Sequence, residues 1–329
     1  MTLKDCIKRQ YYRLTVAYGC MVAKSLGLAK YSISGALCRP GGLLFAGFAL
    51  FGWFHCAAAD HPFFVTYTTQ MEEPGTLEIE NRSVAGHPKG GNAFVGSLVE
   101  FHYGVTTWWT TEFYIDGQTT RNESTIFTGY RWENRFRVLP HNYRITPVLY
   151  VEYENLSGAD KTLIEVVGHE VVADLTVPND EARRETERVL ELKLLLTSYH
   201  GAWSISENFI SEKVLNSPRP WGFGYAFGTY RPLGLKAKPA RCSFCPENFL
   251  AGVEVYGGLG TVKSFGLART SHYIGPCVAW AIGRGTSVKL SPSLGLTGTS
   301  ARWLLRFGMV FEIKEVGRSL RTVFGSKHR

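Results

Sequence analysis

Long apolar runs are almost absent from this 329-residue chain, whose mean hydropathy is close to neutral at −0.07. The one continuous run, Gly42–Phe54 (GLLFAGFALFGWF), covers about 13 residues, whereas a membrane-spanning helix needs roughly 20. A bundle of membrane helices is thereby excluded. Cysteine is scarce too: four of the seven (Cys6, Cys20, Cys38 and Cys56) precede residue 60, leaving Cys242, Cys245 and Cys277. Cys242-Ser-Phe-Cys245 has no second thiol pair to complete a four-thiolate zinc site and no histidine after it for covalent haem. No metal and no cofactor is expected. Catalytic signatures are missing as well: no Gly-x-Ser-x-Gly occurs, and His169-Glu170 lacks the second histidine of a zinc-protease helix.

What the chain does have at its start is a run of bases. Lys4, Lys8, Arg9, Arg13, Lys24, Lys30 and Arg39 face the single acid Asp5, the apolar run follows, and Ala57-Ala58-Ala59 comes before Asp60. That order predicts a signal peptide over residues 1–59 with an unusually long basic region, which a true start at Met21 would shorten. A signal anchor or a buried core helix is the alternative. Setting the segment aside removes seven of 36 basic residues and one of 28 acids, so the basic balance largely disappears and gives no reason to expect nucleic acid as a partner. Much of the remaining excess sits in a tail over 314–329, where Lys314, Arg318, Arg321, Lys327 and Arg329 meet only Glu315.

Between these ends, over 60–313, runs of about ten residues alternate apolar with polar or small side chains, as expected for strands with one face on lipid and the other in a wet lumen. Arg302–Ile313 (RWLLRFGMVFEI) sets Trp303, Leu305, Phe307, Met309, Phe311 and Ile313 against Arg302, Arg306, Gly308 and Glu312. Trp221–Thr229 puts aromatics outside and Gly222, Gly224, Ala226 and Gly228 inside. In Ile126–Val138, Ile126, Tyr130, Trp132, Phe136 and Val138 oppose Arg131, Glu133, Arg135 and Arg137, a basic inner face.

Other inward candidates are Glu78, Glu80, Glu100, His102, Glu112, Glu152, Glu191, Lys193, Glu254 and Lys289. A soluble sandwich or lipocalin-like barrel also alternates. It rarely places so many large aromatics opposite glycine on consecutive strands. The fold expected is therefore an all-β, antiparallel transmembrane barrel.

Turn formers at Gly104–Thr107, Asn155–Asp160, Ser198–Ala202 and Gly283–Thr286 separate the runs, with longer links over Asp116–Ser124, Leu175–Arg184 and Leu233–Phe249. The runs number thirteen, yet single-chain bacterial barrels carry an even number of strands. If Thr162–Asp174, whose alternation breaks at Val166-Val167, is a loop, the number is twelve; a further strand near Phe63–Thr69 would make it fourteen. Within Leu233–Phe249, Cys242 and Cys245 are read first as a loop disulfide, with a shared metal or redox role as the alternative.

Several stretches carry a likeness. His61-Pro62-Phe63-Phe64, EPGTLEIE (Glu73–Glu80), VEFHYGVTTWWTTEFYI (Val99–Ile115), VLYVEYEN (Val148–Asn155), GVEVYGGLGT (Gly252–Thr261) and LLRFGMVFEI (Leu304–Ile313) resemble the MetA-pathway-of-phenol-degradation family and related outer-membrane channels. The resemblance covers nearly all of the region after residue 59 and implies location and fold more firmly than substrate. One departure is the basic tail after the last aromatic strand, since barrel-insertion machinery reads that strand at a chain end.

The function expected is passage of small polar or aromatic solutes, with membrane lipid, the insertion machinery and the solute as partners. Rows Arg131/Arg135/Arg137 and Glu100/Glu152/Glu254 would set a transverse field at a constriction. Two alternatives stand beside it: a closed structural or adhesive barrel whose charges only form ion pairs, and a lipid hydrolase using Ser204 or Ser206 with His102, His169, His200 or His272. No enzyme activity is expected.

Overall fold

A computed structural model describes residues 61–140, 143–168, 171–234, 244–282 and 285–316. The expected signal peptide, Cys242 and the tail beyond residue 316 lie outside the described residues. Alternating sequence becomes thirteen strands: β1 (Leu77–Gly86), β2 (Phe94–Thr106), β3 (Trp109–Thr120), β4 (Thr125–Arg137), β5 (Ile145–Ser157), β6 (Thr186–His200), β7 (Trp203–Val214), β8 (Gly222–Pro232), β9 (Phe249–Thr261), β10 (Ser264–Phe265), β11 (His272–Ala281), β12 (Thr286–Gly295) and β13 (Trp303–Ile313). β10 only turns back onto β9, and the other twelve form one antiparallel ring, closed by pairing of β13 with β1. Closure leaves none of these twelve strands with an unpaired edge, the condition for a sheet to sit in hydrocarbon.

The period-two pattern fixes which face meets lipid. On β8 the glycines and Ala226 point inward while Phe227 points out, and on β13 Trp303 and Leu305 are outward while Leu304 and Arg306 are buried inside. Tyr103, Phe113, Tyr130, Trp132, Phe209 and Leu290 belong to the same exposed apolar belt. The chain is thus an all-β outer-membrane barrel, and its apolar belt is the lipid-facing surface such a barrel needs. One parity is reversed relative to the alternation read above. A register shift between Asp116-Gly117 and the facing Phe127–Gly129 inserts an extra residue, so Phe127 pairs with outward Gly117 and Ile126 pairs with buried Gln118.

Both uncertain strands prove to be something else. Phe63–Thr69 is no strand of the wall, and Thr162–Gly168 is part of the long connection from β5 to β6, which continues into short helices at Val171–Thr176 and Asn179–Ala182. Asp116–Ser124 is mostly strand rather than link, because β3 runs on to Thr120. The two non-strand segments are buried and occupy the barrel interior. Phe64 and Val65 of the first pack with Val166 and Val167 of the second and with Ile210, Ala226 and Tyr256 of the wall. Two glycines on the wall make the approach possible. A Cβ at Gly96 would lie 2.6 Å from the Lys161 carbonyl oxygen, and one at Gly228 would lie 2.5 Å from the Phe63 ring.

Candidate functional site

The first crossing segment is extended and has no strand partner, so its backbone donors need side chains. The Glu254 carboxylate on β9 accepts N–H groups from Phe64 (3.2 Å), Val65 (3.0 Å) and Thr66 (3.2 Å). Asn208 on β7 accepts from the Tyr67 N–H at 2.6 Å and donates to its carbonyl at 2.9 Å. Thr197 on β6 accepts from Thr69, and Thr110 on β3 from Glu72. Arg82 and Arg135 donate to the carbonyls of Phe64 and Gln70. Strands from opposite sides of the ring thus hold one strap of chain across the lumen.

The second segment is held mainly by charge. Glu165 receives Arg131 Nη1 from β4 and Lys193 Nζ from β6, each at 3.2 Å, while Arg306 on β13 donates to the Leu163 carbonyl at 2.6 Å. Arg131 also meets Asp116 (2.9 Å), Glu154 (3.1 Å), Asp160 (3.6 Å) and Glu152 (4.0 Å). Lys193 contacts Glu191 at 2.7 Å and lies over the rings of Tyr67 and Tyr150. Among the described residues, two small cavities lie where the straps meet the wall. One of about 30 Å³ is lined by His61, Tyr67, Arg82, Glu100, His102 and Arg135; another of about 10 Å³ touches Phe64, Leu98, Thr162 and Arg306. Spaces of that size hold single waters, not solutes.

Register produces the site's main electrostatic feature. Glu112 on β3 pairs with Glu133 on β4, Glu133 with Glu152 on β5, Glu152 with Glu191 on β6, and Glu191 with Glu212 on β7. Five carboxylates therefore stand directly opposite one another along the inner face, an arrangement that is destabilising by itself. Arg135 pairs with both Glu112 and Glu133, and Tyr114 and Tyr150 hydroxyls donate to Glu133 and Glu152. Elsewhere Arg82 pairs with Glu100, which also meets His102 at 2.9 Å, and Lys289 meets Glu80 at 2.5 Å.

Of the residues singled out in the sequence, Glu100, His102, Glu112, Arg131, Glu133, Arg135, Glu152, Glu191, Lys193, Glu254, Lys289 and Arg306 are all buried on the inner face. Arg137 is half-buried beside inward Val148 at the strand end. Arg302 is a correction: it precedes β13 and is exposed, because the strand begins at Trp303. The expected separation of basic and acidic rows is also replaced. Arginines are interleaved with carboxylates from neighbouring strands, and Glu254 serves backbone amides rather than a field. Arg82, Asp116, Glu154 and Asn208 share the parity of predicted neighbours and were within reach of the same pattern. The sequence pattern admits the straps only as doubtful wall strands, the second with its alternation broken at Val166-Val167, and nothing in it singles out Glu165 or places either segment inside the barrel.

Cys245 is disulfide-bonded, and Cys277 is a buried free thiol. Among the described residues no serine hydroxyl hydrogen-bonds a histidine ring. His102 faces glutamates, and His272 bonds Tyr225 and Thr270.

No protein-family profile and no curated protein matches the sequence. Similar solved structures are outer-membrane barrels. An outer membrane channel from Pseudomonas putida F1 is 7% identical with a TM-score of 0.48, over 78% of this chain and 100% of that one. The KdgM porin solved with disordered oligogalacturonate is 6% identical at TM-score 0.42, over 72% and 98%. Pseudomonas putida OprB is 7% identical at TM-score 0.34, over 72% and 93%.

Proposed function

We propose that this barrel is an outer-membrane channel for small polar solutes, selective for cationic and neutral over anionic ones, and that the two straps close it in the arrangement described here. The observation that carries the reading is the in-register row Glu112–Glu133–Glu152–Glu191–Glu212, a lining of the kind that favours cations in a wet pore. A wall built only to be filled is stabilised more simply by apolar packing than by rows of like charge. Both straps are fastened largely by polar contacts that water can replace, which suits a plug that moves. Both chain ends of the barrel lie at the rim holding the two-residue turns Thr107-Trp108 and Gly201-Ala202, and we assign that rim to the periplasm.

The test is planar-bilayer conductance of the full chain, compared with a variant in which residues 160–167 are replaced by a short Gly-Ser linker. The variant is expected to conduct steadily with cation selectivity, and wild type to open rarely. Silence from both would favour a closed structural barrel, the reading supported by the apolar cluster of Phe64, Val65, Val166, Val167, Ile210 and Tyr256 across the lumen.

A further inference from the structure

We propose that a groove on the lipid-facing side of β2–β5 binds one glycerophospholipid of the periplasmic leaflet, with an acyl chain lying in it. Register builds the wall of the groove. Phe101 on β2 pairs with Phe113 on β3, Phe113 with Trp132 on β4, and Trp132 with Tyr153 on β5, so four aromatic side chains stand level on four successive strands. One step nearer the Thr107-Trp108 turn, Leu77 pairs with Tyr103 and Tyr103 with Thr111. Thr111 is the small side chain in this frame, and a space of about 730 Å³ opens among these two rows and Tyr130. Binding sites for small molecules have that size, about 300–1,000 Å³.

Inside a bilayer, escape from water drives nothing, because lipid is as apolar as the wall; a chain is held by dispersion contacts with a surface that is already ordered. Here the rings are fixed. Trp132 Nε1 donates to Thr111 Oγ1 at 3.0 Å, and Phe113 stacks at 6.1 Å on Tyr130, whose hydroxyl accepts from Asn155 at 3.2 Å. Tyr103, Phe113 and Trp132 nonetheless remain 40, 42 and 54% exposed, so they have surface to offer. On β6, by contrast, the outward side chains are Leu190, Leu192, Leu194 and Leu196, which carry more rotamer freedom and form no such ring-walled hollow.

Position identifies the occupant. Tyr103 and Thr111 lie within four residues of the Thr107-Trp108 turn, about 13 Å along a strand. At that turn Trp108, Trp109 and Phe136 stack with centroids 6.3–6.4 Å apart, an aromatic girdle of the kind that sits at headgroup level. The groove thus begins on the hydrocarbon side of the girdle, where the chain of a lipid anchored by its headgroup runs. A phospholipid rather than lipopolysaccharide follows from assigning this rim to the periplasm; the groove itself does not depend on the channel reading.

The experiment is native mass spectrometry of the full chain, refolded in detergent and mixed with equal amounts of phosphatidylethanolamine and lipid A. Wild type is expected to keep a single phosphatidylethanolamine under activation that strips detergent, and so is Leu192→Trp, which adds an indole elsewhere on the lipid face. Thr111→Trp, which fills the groove, and Trp132→Ala, which removes a wall ring, should lose it. Both lie on the outer surface, and heat-modifiable gel migration confirms that each barrel has formed; if one does not fold, the other carries the test. No retained phospholipid on wild type, or equal retention by all four proteins, overturns the site. Preferential retention of lipid A overturns the choice of lipid, and a wild-type dimer lost in Thr111→Trp assigns the groove to a second copy of the chain instead. Retention by a protein that never conducts overturns only the channel reading.

Discussion

The ring of Phe63 lies against the backbone of Gly228, so close that a Cβ on Gly228 would meet its Cζ at 2.5 Å. Phe63 is fully buried there and packs edge-on against Tyr230 at 5.3 Å. Gly228→Val is expected to push the first strap off the wall at a cost of about 1–3 kcal/mol, the usual range for overpacking. Bilayer recordings should then show more frequent opening than wild type, with the barrel still closed by gel migration. Unchanged recordings would mean that the first strap does not control access.

Arg131 is the shared cation of five carboxylates, and replacing it with methionine keeps much of its volume while leaving Asp116, Glu152, Glu154 and Asp160 without that base and Glu165 with Lys193 alone. Breaking a buried pair in this way costs about 3–5 kcal/mol. Urea unfolding in lipid vesicles should show the loss. A shift under about 1 kcal/mol would indicate that the surrounding carboxylates are already neutral.

Glu123, at the turn between β3 and β4, accepts from Asn92 Nδ2 at 2.9 Å and from the Asn179 N–H at 2.6 Å, tying down the helix at Asn179–Ala182. Slight burial raises its pKa, but these two donors outweigh that and lower it. Because the folded value lies below the unfolded one, the anchoring is present above about pH 4.3 and is lost as pH falls through the depressed value. Exchange of the Asn179 amide, corrected for intrinsic rate, should accelerate over that acid range in wild type. In Glu123→Gln it should be fast throughout and insensitive to pH; an identical acid response in both proteins would remove Glu123 as the cause.

On the lipid face, Phe113 is 42% exposed and stacks on Tyr130 at 6.1 Å. Phe113→Arg places a charge in hydrocarbon and should destabilise the barrel by about 2–4 kcal/mol if this position lies near the bilayer midplane. The same unfolding assay measures it. A neutral result would put this part of β3 at the interface.

Much of the wall was legible because strand geometry maps sequence parity directly onto a face. Once Trp303, Leu305 and Phe307 are outward, Leu304 and Arg306 must be inward, and the same logic placed Glu152, Glu191 and Lys193 on the inner face, though it did not set them beside one another. It failed where one extra residue shifted parity at Ile126, and where the strand began one residue later than Arg302 suggested. The straps were illegible for a different reason. Their residues satisfy backbone donors with side chains from strands far away in sequence, such as Glu254 for Phe64 and Thr197 for Thr69, and no local period records such a partner.

By itself, then, the chain's alternation determined that it forms an antiparallel barrel, which faces are apolar, and which charged residues point inward, since these follow from local geometry and the cost of exposing charge to lipid. Only the tertiary structure decided the rest. Cross-strand register brought five glutamates level, from Glu112 to Glu212, although they are separated by up to a hundred residues of chain. Ring closure created a lumen narrow enough for two of the chain's own segments to fill, and that filling turned scattered charges into shared ion pairs around Arg131 and Lys193.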